Sequence, residues 1–260
     1  MSVTADAPGS VTTIFVPRGE ASSLGVSFAI ADGATVTVDP APETVLFLDG
    51  ERAEVAPVSG VLRRLGTPAR VRIETDVPIG CGFGVSGAAT LATALAVNAA
   101  ADLGYDREAL VEASHRAEVE AGTGLGDVFI QDRGGLVWDR GEGLRHATLS
   151  ARIAYTAFGG ISTKEVLGDE DALRRVAEVG REVLATLDPT EGLAPLFEAS
   201  WGFARRTDLV PDRVDRLVGQ VRAAGGTATM AMVGETILGV GADDVLEATT
   251  RATAQGASLR

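Results

Sequence analysis

Apolar residues recur every three to four positions through 171–187, 193–206 and 212–223, with charged residues between them, and this spacing predicts three amphipathic helices. A fourth helix is expected over 107–121, where Glu108, Glu112, His115 and Glu118 fall at helical spacings. The run 86–101 is mostly alanine and predicts a tightly packed helix; it is too short for a membrane span, and Thr90, Thr93 and Asn98 interrupt it. Short β-prone runs bounded by turn residues predict strands over 35–38, 44–48 (ahead of an Asp49-Gly50 turn), 71–75, 135–138 and 152–157. Near the end of the chain, 227–233 and 236–240 predict a hairpin across Gly234-Glu235, and 243–254 a last helix. Strands and helices mix in both halves, which gives an α+β class.

Composition narrows the function. A chain of 260 residues, 45% of them apolar, can bury a core as one large domain or two small ones and is not disordered. Cys81 is the sole cysteine, so an intrachain disulfide and a cysteine-rich metal site are excluded, and His115 and His146 are too far apart to suggest a metal pair. No basic stretch followed by an apolar one opens the chain, so no secretory signal is expected and a cytoplasmic enzyme is the simplest placement. Asp plus Glu number 36 against 23 Lys plus Arg, and a net charge of −13 disfavours nucleic acid or an anionic membrane as partner.

The densest local signal is Pro78-Ile79-Gly80-Cys81-Gly82-Phe83-Gly84-Val85-Ser86-Gly87-Ala88-Ala89-Thr90, a glycine-rich turn running into the alanine-rich helix. Glycines let the backbone approach a ligand closely, and the start of a helix offers free N–H groups to an anion, so the segment reads as a phosphate cradle. An ordinary turn capping a core helix has the same letters. A Walker loop is excluded: there is no G-x-x-x-x-G-K-[ST], and the only lysine, Lys164, is far away in sequence. Gly82-x-Gly84-x-x-Gly87 fits the dinucleotide fingerprint by spelling, but the strand expected over 71–75 is separated from it by Asp76-Val77-Pro78.

The same letters resemble the second motif of the GHMP kinases, the family of galactokinase, homoserine kinase and mevalonate kinase, which reads roughly P-x-G-x-G-L-G-S-S-A. Pro78, Gly80, Gly82, Gly84, Ser86 and Ala88 fall in register, with Phe83, Val85 and Gly87 as departures. Three other stretches agree with the family: Ala7-Pro8-Gly9-Ser10-Val11-Thr12-Thr13-Ile14-Phe15, Gly122-Thr123-Gly124-Leu125-Gly126-Asp127, and Gly225-Gly226-Thr227-Ala228-Thr229-Met230. With Ser22-Ser23-Leu24-Gly25 and His115-Arg116-Ala117-Glu118 added, the chain is most similar to the archaeal pantoate kinase branch.

The resemblance implies two lobes, 1–158 with a left-handed βαβ unit and 159–260 ferredoxin-like, with Gly159-Gly160 at the crossover and the site between them. It implies ATP and Mg²⁺ as cofactors and transfer of a phosphoryl group to the terminal hydroxyl of pantoate, an early step towards coenzyme A. A homodimer is compatible with it. The cradle would comprise Pro78, Gly80, Gly82, Phe83, Gly84, Val85, Ser86, Gly87 and Ala88, with Ser86 and Glu118 on the metal and Asp127 as general base. From the residues alone, Glu118 reads rather as a solvated helix-face carboxylate paired with Arg116 or a similar residue, and Asp127 equally as a plain cap whose helix start would lower its pKa. For the acceptor, Arg140 is expected at the carboxylate, with Lys164 as a second cation and Ser23 and Thr163 at the hydroxyls. Several family members carry a lysine in the first motif that pairs with the aspartate; none lies within 5–15 here, so Lys164 or an arginine must replace it, or the site works without it.

Arginine in place of lysine, on so acidic a chain, suits a protein of a high-salt environment, and it also follows from a GC-rich genome. Denaturant unfolding across a KCl series separates the two. The high-salt reading expects the midpoint to rise with KCl as repulsion is screened, and an indifferent midpoint leaves genome composition.

Overall fold

The computed structural model describes residues 1–18, 22–160, 170–232 and 234–260. Its frame is a pair of long antiparallel strands, β1 (Val3–Arg18) and β2 (Ser22–Pro40). Their residues are buried in near-continuous runs rather than in alternation, because helices cover the hairpin. After them come β3 (Val45–Leu48), β4 (Glu51–Arg52), α1 (Ala56–Arg64) and β5 (Ala69–Thr75); β3 and β5 are parallel neighbours, so this is a βαβ unit. Helices α2 (Val85–Ala100), α3 (Arg107–Ala121) and α4 (Asp127–Arg133) follow, then β6 (Leu136–Asp139), β7 (Arg145–Ala147) and β8 (Ala151–Gly160). The remainder is α5 (Glu170–Thr186), α6 (Leu193–Arg206), α7 (Asp212–Ala223), β9 (Thr227–Met230), β10 (Gly234–Val240), β11 (Ala248–Ala252) and β12 (Ser258–Leu259).

The main path of the sheet runs β4-β3-β5-β2-β11-β8-β10-β9, with β1 and β6 also on β2, β12 on β1 and β7 on β6. β2 divides its length: its second half pairs with β5 and its first half with β6. This division separates two hydrophobic cores. One gathers Val36, Val38, Ile73, Leu91 and Leu95; the other gathers Phe28, Ile153, Phe197, Phe203 and Met230. Full burial of each such side chain stabilises by about 1.5–3 kcal/mol. Two of the places where the chain changes cores lie beside the glycine-rich turn. Along β1, Ala7 belongs to the first and Val11 to the second, and at the start of α2, Phe83 and Val85 belong to the second and Ala88 to the first. The glycine-rich turn and the middle of β1 therefore meet at the seam between cores.

Helices α2, α3, α5, α6 and α7 lie within a residue of the expected spans. Four elements differ. The helix expected over 243–254 is a single 3-10 turn (Asp243–Val245) followed by β11, which pairs with β8 and buries Thr250 and Ala252 while Thr249 and Arg251 face outward; sheet pairing overrides the helix preference of the alanines and leucine within 243–254. The hairpin closes before Gly234, with Met230 opposite Ile237, rather than across Gly234-Glu235. The expected strand 35–38 is the end of a much longer one, and α1 is a helix absent from the expected elements. Pro57 sits in the first turn, where no amide is needed, and Gly60 lets the helix rest on Ala117. Among the described residues no helix is long and apolar enough to cross a membrane.

The turn before α2 rests directly on backbone from the second half of the chain. A Cβ on Gly234 would lie 2.4 Å from the Cys81 carbonyl oxygen, and one on Gly160 only 2.1 Å from that of Gly80. Gly234→Ala is expected to lower stability by about 1–3 kcal/mol in denaturant unfolding. An unchanged midpoint would contradict this packing.

Candidate active site

Gly80, Gly82 and Gly84 all have positive φ, and Gly84, in the left-handed region at 63°, is the residue from which α2 starts. No side chain caps that start, and its first helical bond runs from the Ala88 N–H to the Gly84 carbonyl, 3.1 Å. The amides of Val85, Ser86 and Gly87 thus have no acceptor within the helix, the arrangement an anion needs. The turn is held from two sides. The Ser10 N–H of β1 donates to the Phe83 carbonyl at 2.9 Å, and Thr236 Oγ1 of β10 donates to the Cys81 carbonyl at 2.6 Å.

Glu118 lies one turn from the end of α3, which Gly122 terminates in the left-handed conformation so that Thr123 and Gly124 fold back over it. Its carboxylate is 2% exposed. Ser86 Oγ donates to it at 2.9 Å, Thr90 Oγ1 at 2.7 Å and Thr123 Oγ1 at 2.7 Å. The alternative of a surface pair with Arg116 is overturned, because Arg116 bonds Glu112 on the outer face at 2.6 Å. Burial raises the Glu118 pKa, the three hydroxyls oppose that rise, and the charge of Asp127 adds to it.

Asp127 is the first residue of α4, half-buried on the cavity wall, and Ser10 Oγ donates to its Oδ1 at 2.9 Å. The expected lowering of its pKa by the helix start is reversed. Desolvation dominates and raises it, against the Ser10 hydrogen bond and its own backbone amide. Among the described residues neither carboxylate has an ion-pair partner. Asp127 Oδ2 and Glu118 Oε2 lie 3.2 and 3.3 Å from the point that a Gly124 Cβ would occupy. Two carboxylate oxygens therefore border the room that glycine leaves, and the Ser86 hydroxyl bonds one of these carboxylates, that of Glu118; hard oxygen donors of this kind suit Mg²⁺.

A cavity of about 1090 Å³ opens over this cluster. Gly80, Gly82, Gly84, Val85, Ser86, Asp127 and Ser23 line it. Phe83, Gly87 and Ala88 stand behind the wall, with the Phe83 ring edge-on to Tyr155 at 5.0 Å; Pro78 is exposed at the approach to the turn. Glu118 is reached through Ser86. Arg140 is not brought to the wall: it is exposed, and its Nη1 donates to the Leu187 carbonyl beyond the end of α5 at 3.1 Å. Thr163 and Lys164 lie outside the described residues. Three contributors were missed, Ser10, Gln131 and Arg133. Ser10 was inside a quoted motif, and Gln131 stands four residues after Asp127 on the same face of α4, a spacing that offered a signal. Arg133 is the one arginine among the described residues lining the cavity.

Compared with known proteins, residues 55–135 match the family model described as GHMP kinases N terminal domain. The chain is 26% identical over 257 residues to a pantoate kinase of Methanocaldococcus jannaschii, covering 93% of each. Its structure is similar, with a TM-score of 0.85 and 21% identity, to a phosphotransferase related to the CoA biosynthesis pathway, covering all of this chain and 99% of the other. With Lactococcus lactis galactokinase complexed with galactose the TM-score is 0.72 at 12% identity, over 99% and 95% of the two chains.

Because folding raises the Asp127 pKa, the folded state holds that proton more tightly than the unfolded chain, and the aspartate costs stability as pH rises above the ordinary carboxylate range. Asp127→Asn is expected to raise the denaturation midpoint at pH 8, with the gain shrinking towards pH 4. A variant less stable than the parent at pH 8 would contradict the assigned environment.

Proposed function

We propose that this chain, whose residues 55–135 match the GHMP kinases N terminal domain, is a kinase of that family and transfers the γ-phosphoryl group of ATP to the terminal hydroxyl of pantoate, giving 4-phosphopantoate and ADP. The observation that carries this reading is the convergence of Glu118 and Asp127 on the space above Gly124, beside the free amides that open α2. The triphosphate lies along the turn 80–87, its oxygens taking the amides of Val85, Ser86 and Gly87. Ser86 and Glu118 hold Mg²⁺, which when bound neutralises charge on the β- and γ-oxygens. Asp127 aligns the acceptor hydroxyl and takes its proton as the new O–P bond forms and the bond to ADP breaks. Its raised pKa makes it a better proton acceptor than an exposed aspartate. Ser23 faces the acceptor end of the cavity, and Arg133 is the cation we assign to the acceptor carboxylate, in preference to Arg140. Support for pantoate itself comes from the pantoate kinase relative and the structural relative linked to the CoA pathway.

The test is ADP release with ATP and Mg²⁺ and with pantoate, homoserine and mevalonate offered separately. Turnover is expected with pantoate alone, and Asp127→Asn should lower kcat by about a thousandfold with ATP KM nearly unchanged. Turnover only with another acceptor would replace pantoate in this account. Folded protein that releases no ADP with any acceptor would overturn the kinase reading.

A further inference from the structure

We propose that Gln131 is a positioning residue for this transfer: acting through Ser10, it holds Asp127 in place, and it ties that aspartate to the carbonyl of Gly84 in the phosphate turn. The inference rests on the reading of Asp127 given above.

Gln131 is wholly buried, and its Nε2 lies 2.6 Å from the Gly84 carbonyl oxygen and 3.3 Å from Ser10 Oγ. A carbonyl can only accept, so the side of the amide that faces Gly84 must be the NH₂, and this settles its orientation. Ser10, 1% exposed, therefore receives an N–H from Gln131 and directs its single proton to Asp127 Oδ1. One amide thus sets two positions, the start of α2 and the carboxylate at the start of α4.

Two further facts argue against simple space-filling. First, glycines clear the room for this chain of contacts. A Cβ on Gly84 would lie 2.1 Å from Ser10 Oγ, and one on Gly87 would lie 2.7 Å from Gln131 Oε1. Second, Gln131 Oε1 is buried without a hydrogen-bond partner among the described residues. An unmet buried acceptor is costly, and an apolar side chain of similar volume would fill the site without that cost. What the amide contributes is its pair of N–H groups, directed at the two elements whose relative placement the reaction needs.

The test is steady-state kinetics of Ser10→Ala, Gln131→Met and the double variant, with Asp127→Asn alongside. Ser10→Ala should lower kcat on the order of tenfold and leave ATP KM unchanged. Gln131→Met should lower kcat by a similar factor and also raise ATP KM severalfold, because it releases Gly84 as well. The double variant should keep the raised KM and lose no further kcat, since Gln131 reaches Asp127 only through Ser10. Gln131→Glu, which keeps the shape and removes the N–H groups, should match Gln131→Met. Wild-type kcat in folded Gln131→Met or Gln131→Glu, or kcat losses that multiply in the double variant, would overturn the proposal. If neither Gln131 variant folds, Ser10→Ala decides alone, with wild-type kcat again overturning it. An inactive Asp127→Asn beside fully active Gln131 variants rejects this inference only; an active Asp127→Asn rejects the reading of Asp127 beneath it.

Discussion

A carboxylate taken out of water must be given donors or lose its charge, and Glu118 is given three hydroxyls and no cation. Those hydroxyls come from two turns of α2 and from the turn after α3, so satisfying one side chain fixes how the two helices sit against each other. Ser86 also belongs to the phosphate turn, and through it the buried carboxylate is linked to the cavity. Asp127 repeats the pattern one layer outward, with Ser10 as its donor. Both acids are held by neutral groups, so their negative charge is not cancelled within the described protein and remains available to a divalent cation or a proton.

The glycines are the other half of this constraint. They give the turn its positive φ values, and they also provide empty space. Gly124 makes the gap where the two carboxylates converge, Gly84 makes room for Ser10 and Gln131, and Gly234 and Gly160 let the second half of the chain touch the turn with backbone alone. The site therefore lies at the seam between two cores, where β1 and the start of α2 pass from one to the other. A small displacement of either core would move donor and acceptor groups relative to each other, which suits a reaction whose catalysis is mostly positioning and electrostatics.

Much of this was legible in the chain. Periodicity located α2, α3, α5, α6 and α7, and the glycine spelling located the turn, because those signals are local. The partner of Asp127 was not legible: Ser10 is separated from it by 117 positions, and only the folding of β1 against α4 brings them together. The role of Glu118 was open because a helix-face glutamate beside Arg116 looks solvated until the turn at Thr123 closes over it. β11 was misread because the alanines and the leucine of 243–254 suit a helix in isolation, and its strand exists only through pairing with β8. Arg140 looked like a substrate cation by its place after a strand, yet its side chain goes to the end of α5.

The most direct test of the account is a crystal structure with Mg²⁺ and a non-hydrolysable ATP analogue. The predicted result is the triphosphate along 80–87, the metal touching Ser86 Oγ and the Glu118 carboxylate, and the γ-phosphoryl group facing Asp127. A nucleotide bound away from the start of α2, or a metal that leaves Glu118 with only its three hydroxyls, would contradict it.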